Sequence, residues 1–166
     1  NEVTDFYNAF KYQLPQVKDE VVLSKIVMFP KLTDAHKQEI IDKLKKIKQD
    51  ILNGETFENK ARIYSDDPGS AANGGLYTNI GRGKMVKIFE ATALNLQEGE
   101  ISDPVESEFG FHIIQLVKKS GKLYDARHIL LKAEPNAEEI ATAKAEMEQI
   151  RKDILEGKTT FKDAAY

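Results

Sequence analysis

One sequence feature narrows the fold more than any other: the chain repeats part of itself. Shifted by 103 positions, KIKQDILNG (residues 46–54) lies over QIRKDILEG (149–157), and SKIV (24–27) lies over RHIL (127–130). With one residue inserted, Phe57 meets Phe161. A recurring segment of this kind is one supersecondary unit used twice; here the unit is a strand followed by a helix. The first copy continues into a loop, a further helix and a closing strand, whereas the second stops after its helix. A strand and one helix cannot enclose a core between them. Residues 121–166 are therefore expected to be the first strand and helix of an incomplete second domain. Asn1 is not a natural start, which fits an excised piece.

Periodicity fills in the first copy. EVVLSKIVMFP, residues 20–30, is apolar and β-branched and predicts a strand ending at Pro30. Ile40, Leu44, Ile47 and Ile51 then form one helical stripe, with Thr33 as its cap and Gly54 as its exit. A shorter helix carries Phe57, Ala61 and Tyr64. SDDPGSAANGG, residues 65–75, is dense in breakers and predicts a loop. A helix is expected around residues 85–94, and GFHIIQLVKK is the strongest strand signal of the chain. At the N-terminus, Val3, Phe6 and Phe10 recur at helical spacing, with Thr4 as cap and Pro15 as stop. Strands mixed with several helices on one side predict an α+β domain over residues 20–120, preceded by a separate helical segment, 1–19.

Composition excludes several functions. The 24 basic and 27 acidic side chains are closely mixed, so no basic footprint for nucleic acid exists. No apolar run reaches the roughly 20 residues of a membrane span. With no cysteine, disulfide and thiol chemistry are absent. The three histidines, His36, His112 and His128, fall in unrelated settings without ligand spacing, which argues against a metal-dependent hydrolase. GRG at 81–83 lacks the strand–GxxxxGK–helix context of a phosphate loop. His36, on a charged helix, is expected to be a solvated surface residue.

FENKARIYSDDPGSAANGG, FEATALNLQEGEISDPVESEFGFHIIQL and ARHILLK occur in that order and spacing. They resemble the parvulin family of peptidyl-prolyl isomerases, and more narrowly the periplasmic chaperones that carry parvulin domains in tandem. The resemblance implies a four-stranded antiparallel sheet surrounded by helices, with further strands over GLYTNIG and ISDPV. It makes the N-terminal helix a remnant of a helical chaperone region. It also implies a periplasmic setting in a Gram-negative cell, proline-containing unfolded or extended polypeptides as partners, outer-membrane proteins among them, and no cofactor or metal.

By the same resemblance, Met85 and Phe89, with Tyr77 or Leu76 beside them, form a cup for the proline ring. Asp67, Ser107 and His112 form the polar group. Alternation along FHIIQL puts His112, Ile114 and Leu116 on one side and Phe111, Ile113 and Gln115 on the other. One position departs from the family. Its first strand usually carries a histidine facing the closing-strand one, and here that position is Lys25, whereas the second copy has His128. A charged lysine donates three hydrogens and accepts none, so it cannot copy a neutral imidazole. Either Lys25 bends outward, or it pairs with Asp67 and rebuilds the site. His128 is expected to belong to the incomplete second domain and to catalyse nothing here. Two functions follow: an isomerase, or a module that holds proline-bearing segments without turning them over, which Lys25 favours. A strand ARHILLK left exposed would also offer self-association through a neighbour's sheet edge.

Overall fold

GFHIIQLVKK does form the centre of a sheet. In the computed structural model, which describes residues 1–13 and 20–165, strand β3 spans Gly110–Ser120. Strand β2, Val105–Ser107, lies along one side of it and β4, Leu123–Leu131, along the other. Strand β1, Leu76–Gly81, pairs with the outer side of β4, which gives the order β1-β4-β3-β2 with every pair antiparallel. The strand expected over ISDPV is shorter than its motif: Ile101 makes a single bridge to Gln115, and regular pairing begins only at Val105.

Two layers of helix cover the sheet, one on each face rather than all on one side. Helix α2, Asp34–Leu52, starts at Thr33, whose hydroxyl accepts from the His36 N–H, and α3 spans Phe57–Tyr64. Leu44, Ile47, Phe57 and Ala61 from these helices are buried against Phe111, Ile113, Ile129 and Leu131. On the opposite face, helix α4, Lys87–Asn95, buries Phe89 and Ala93 against Ile114, Leu116, Tyr124 and Ala126. Odd and even positions of β3 thus serve separate cores, as a two-residue period requires. Helix α1, Glu2–Phe10, is capped by Asn1 rather than Thr4 and buries none of its residues. The expected stop at Pro15 lies outside the described residues. Helix α5, Ala137–Leu155, has the same length as α2, 19 residues, and begins after an Asn136 capping box. Among the described residues no helix is long and apolar enough to cross a membrane.

The structure departs from the sequence-based expectation at the opening strand. Residues 20–33 form neither helix nor strand. The place between β1 and β3 is filled by β4, the strand assigned to the second copy. Three physical reasons favour this choice. Only Gly121 and Lys122 separate β3 from β4, so the pair closes as a hairpin. Ala126, fully buried, occupies a position where the matching residue of the first copy, Leu23, would overfill the core. His128 brings hydrogen-bonding partners that Lys25 cannot replace. Two glycines record how closely β4 is gripped. A Cβ on Gly75 (φ +77°) would stand 2.3 Å from the His128 carbonyl oxygen, and one on Gly110 (φ +130°) 2.3 Å from that of Leu131. ARHILLK is therefore an interior strand of its own chain, which removes the exposed edge on which the expected self-association rested. The arrangement likewise shows no separate half domain at this strand.

Candidate functional site

The sheet face under α4 carries the residues singled out by sequence. His112 of β3 and His128 of β4 are buried neighbours, their rings stacked with centroids 5.4 Å apart. His112 Nδ1 is 3.1 Å from His128 Nδ1, and His112 Nε2 is 2.6 Å from Ser107 Oγ at the end of β2. His128 Nε2 is 2.8 Å from Asp67 Oδ2. The loop holding Asp67 and strand β1 supply the remaining donors. Ser70 Oγ–H donates to Oδ2, the Tyr77 hydroxyl donates to the same oxygen at 3.0 Å, and the Gly69 N–H donates to Oδ1 at 3.1 Å.

Ionisation fixes the direction of this chain. Burial presses the Asp67 carboxyl upward, but the bonds from Ser70, His128 and Gly69 outweigh it and hold the group at about 2. Burial lowers His112 to about 4, helped by the neighbouring His128 and opposed by Asp67. Burial lowers His128 as well, against the pull of Asp67. At neutral pH the carboxylate is charged and both imidazoles are neutral. A carboxylate only accepts, so His128 Nε2 carries the proton and donates to Asp67. His128 Nδ1 then accepts from His112 Nδ1–H, and His112 Nε2 accepts from the Ser107 hydroxyl. Ser107 Oγ in turn accepts from the Phe109 N–H at 3.1 Å. The single tautomer set that satisfies every member runs from Ser107 through both histidines to Asp67.

Apolar groups close over this chain. The Phe89 ring stands edge-on to both imidazoles, with centroids 6.3 Å from His112 and 5.3 Å from His128. The Tyr77 ring is 5.7 Å from His128. Together with Pro68, Met85, Val86 and Leu130 they line an open cleft of about 510 Å³, within the range of small-molecule sites. Met85 lies just before the Val86 cap of α4, so it and Phe89 share the cleft without sharing a helix.

Of the residues expected in the site, Asp67, Tyr77, Met85, Phe89, His112 and Ser107 are brought together, and two are not. Leu76 stands at the start of β1, opposite Arg127, and does not line the cleft. Lys25 is exposed and lies in a separate groove with Met147, Ile150 and Ile154 of α5, because its segment is not in the sheet. His128, expected to be idle, takes the position that Lys25 was expected to fill. His36 is not a free surface residue: its Nδ1 is 2.9 Å from Glu139 Oε2, and its side chain is largely covered. Sequence reasoning missed Ser70, a buried hydroxyl bonded to Asp67, and the rim residues Lys84, Phe109 and Lys132. The SDDPGS run was the available signal for Ser70. The rim residues lie in separate loops and a strand end, and nothing in their spacing links them.

The profile of a known family, Rotamase, described as the PPIC-type PPIASE domain, matches residues 25–118. A foldase protein PrsA of Geobacillus sp. (strain WCH70) is 39% identical over 121 residues, covering 73% of this chain and 38% of the relative. A chaperone SurA of Chromohalobacter salexigens is 37% identical over 114 residues, covering 69% and 22%. Among solved structures, a peptidylprolyl isomerase (PrsA) from Bacillus cereus shares 35% identity with a TM-score of 0.45, covering 75% of this chain and 44% of that one. The chain spans well under half the length of these curated relatives. The resemblance to tandem chaperones is thus broadened, since the foldases match as well.

Proposed function

The chain belongs to the PPIC-type peptidyl-prolyl isomerase family, and from that premise we propose that its cleft rotates X–Pro bonds in unfolded or extended polypeptides. The observation that carries the reading is the meeting of an apolar cup with a buried, one-directional hydrogen-bond chain in a single cleft. The uncatalysed rotation takes tens to hundreds of seconds because the planar amide has partial double-bond character. No covalent bond breaks. The site needs only to bind the twisted amide better than the planar one.

Phe89, Met85 and Tyr77 hold the proline ring. The planar amide carries excess negative charge on its carbonyl oxygen, and twisting returns part of it to nitrogen. A cleft that is apolar above and holds the ionised Asp67 below gives that planar charge no welcome, which favours the twisted state. The histidine pair keeps Asp67 ionised and in place, and Ser107 anchors the far end of the chain. On this reading the working unit runs from α2 to β4, residues 34–131, in place of 20–120. Lys25, the feature that favoured holding without turnover, stands outside the site. We assign Asp67, His112, His128 and Ser107 to the polar half and Phe89, Met85 and Tyr77 to the apolar half. A folding role accords with the foldase and chaperone names of the relatives, and we propose a Gram-negative periplasm as its setting.

A protease-coupled assay with a proline peptide tests the reading. Isomerisation faster than the uncatalysed rate is expected, and loss of that acceleration in Asp67→Ala and Phe89→Ala. A folded protein with no rate above background overturns the enzymatic reading.

A further inference from the structure

We propose that residues 20–30 and 123–131 of one chain are alternative occupants of the strand position between β1 and β3, and that exchange between them switches the site off. The proposal rests on the functional reading of the cleft and adds its regulation.

The two segments match at the offset of the repeat, residue for residue: Ser24 with Arg127, Lys25 with His128, Ile26 with Ile129, Val27 with Leu130 and Met28 with Leu131. The matched family region begins at Lys25, inside the segment that stands outside the sheet, and ends at residue 118, before β4. That segment exposes side chains of strand type, with Val22 94% and Leu23 87% exposed. Residues 24–26 line one side of a groove of about 630 Å³, and Met147, Ile150 and Ile154 of α5 line the other. These three are the repeat counterparts of Leu44, Ile47 and Ile51 of α2, the helix whose core includes β4. The displaced segment therefore faces, across that groove, the same positions of the second helix by which the first helix covers β4.

The strand position is gripped mainly through main chain. His128 N–H donates to the Gly75 carbonyl at 2.9 Å, Asp66 N–H to the Leu130 carbonyl at 2.8 Å, and Leu130 N–H to Ser65 Oγ at 3.1 Å. Such contacts accept any strand of the right pattern. Val27, at the position of Leu130, supplies the same N–H, and Pro30 falls beyond the last strand residue, at the position of Ala133. Reach is also available. The two segments lead into helices whose first turns touch, where Glu139 accepts from the Thr33 N–H at 2.6 Å and its other oxygen accepts from the Asn136 N–H at 2.9 Å. Leu32 already lines a recess with Phe111, Lys132 and Ala133 at the end of β4.

The consequence for the site is chemical. With residues 20–30 in place, Lys25 sets an ammonium against Asp67, and His112 Nδ1–H loses the acceptor that His128 provides. The chain from Ser107 to Asp67 is broken. Burial of that ammonium and the bulk of Leu23 at the position of Ala126 make β4 the resting occupant.

Two readouts test the proposal in the whole cysteine-free chain. Gln115 pairs across the strands with Arg127, the counterpart of Ser24. A Ser24→Cys/Gln115→Cys variant is expected to form a disulfide within one chain, in higher yield when His128→Lys is added. No link, or a link only between chains, overturns the exchange. In the second readout, His128→Ala is expected to lower kcat/KM about 10–100-fold and Lys25→His/His128→Ala to raise it at least about fivefold above His128→Ala, a residual deficit from the parent being within what weaker hydrogen bonding explains. An intrachain link without recovery overturns the switch. Undiminished activity of His128→Ala itself overturns the role given to His128, and the link still decides the exchange.

Discussion

Helices α2 and α5 have equal length, equivalent positions in the repeat and side-chain N-caps, Thr33 and Asn136, yet they meet opposite fates. Helix α2 buries Leu44 and Ile47 in the core, whereas the only residue α5 buries is Glu139, in its first turn. The strands before them are reversed: β4 of the second copy is interior and residues 20–30 of the first are mostly exposed. Burial crosses the repeat, taking the helix from one copy and the strand from the other. Caps and apolar spacing specify that an element forms. Which copy enters the core depends on chain connection and on side chains that only tertiary packing reads.

The crossing can be broken most forcefully at its core. Ile129→Ala and Leu44→Ala are expected to lose about 2–5 kcal/mol each in urea unfolding, because both side chains are fully buried. Their repeat counterparts, Ile26→Ala and Met147→Ala, should each lose under about 1 kcal/mol. Comparable losses at the counterparts would show that the two copies share the core equally.

A pH titration sharpens the contrast of the two strand positions. His112 titrates in the fold at about 4, below the ordinary 6.5, so the fold prefers the neutral ring. The associated stability is complete above pH 6.5 and is lost as pH falls through about 4. The loss is on the order of 3 kcal/mol, and Asp67, lowered from 3.8 to about 2, adds to it only below 3.8. Denaturation midpoints between pH 7 and 4 should fall in the parent and fall less steeply in His112→Gln, where the lowered His128 still titrates.

Activity separates the paired positions next. Removing His128 takes away one hydrogen bond to an ionised group, so His128→Ala should lower kcat/KM about 10–100-fold, while Lys25→Ala should leave it within about 2-fold. A smaller effect belongs to the joint of the copies. Glu139 is held at about 2 against its burial by bonds from Thr33, Asn136 and His36. Glu139→Gln keeps the shape, removes the charge and should lower the thermal unfolding midpoint slightly.

Much of this was legible in the sequence. The helices, the Thr33 cap of α2, the breaker loop and the alternation of His112 with Phe111 follow from local chemistry. Most of the residues that meet in the cleft were named by the resemblance. What stayed hidden was which of two similar strands enters the sheet. SKIV and RHIL carry nearly the same apolar pattern, and the difference lies in the room beside Ala126 and in the bonds open to His128. His36 was misjudged for a similar reason: its covering partner, Glu139, comes from the other copy. Ser70 was missed because a serine in a turn-rich run reads as turn chemistry.

The turn at Gly121-Lys122 has a kinetic meaning. With β4 as the central strand, the first long pairing of the sheet links neighbours in sequence and closes on the microsecond scale of a hairpin. Had residues 20–30 been used, the same pairing would have had to search across most of the first copy, and topology of that kind slows folding. Strand β1, whose named pairing is with β4 alone, has no sheet to join until that hairpin exists. A chain whose central pairing could have waited on a distant strand has thus made that step a local one.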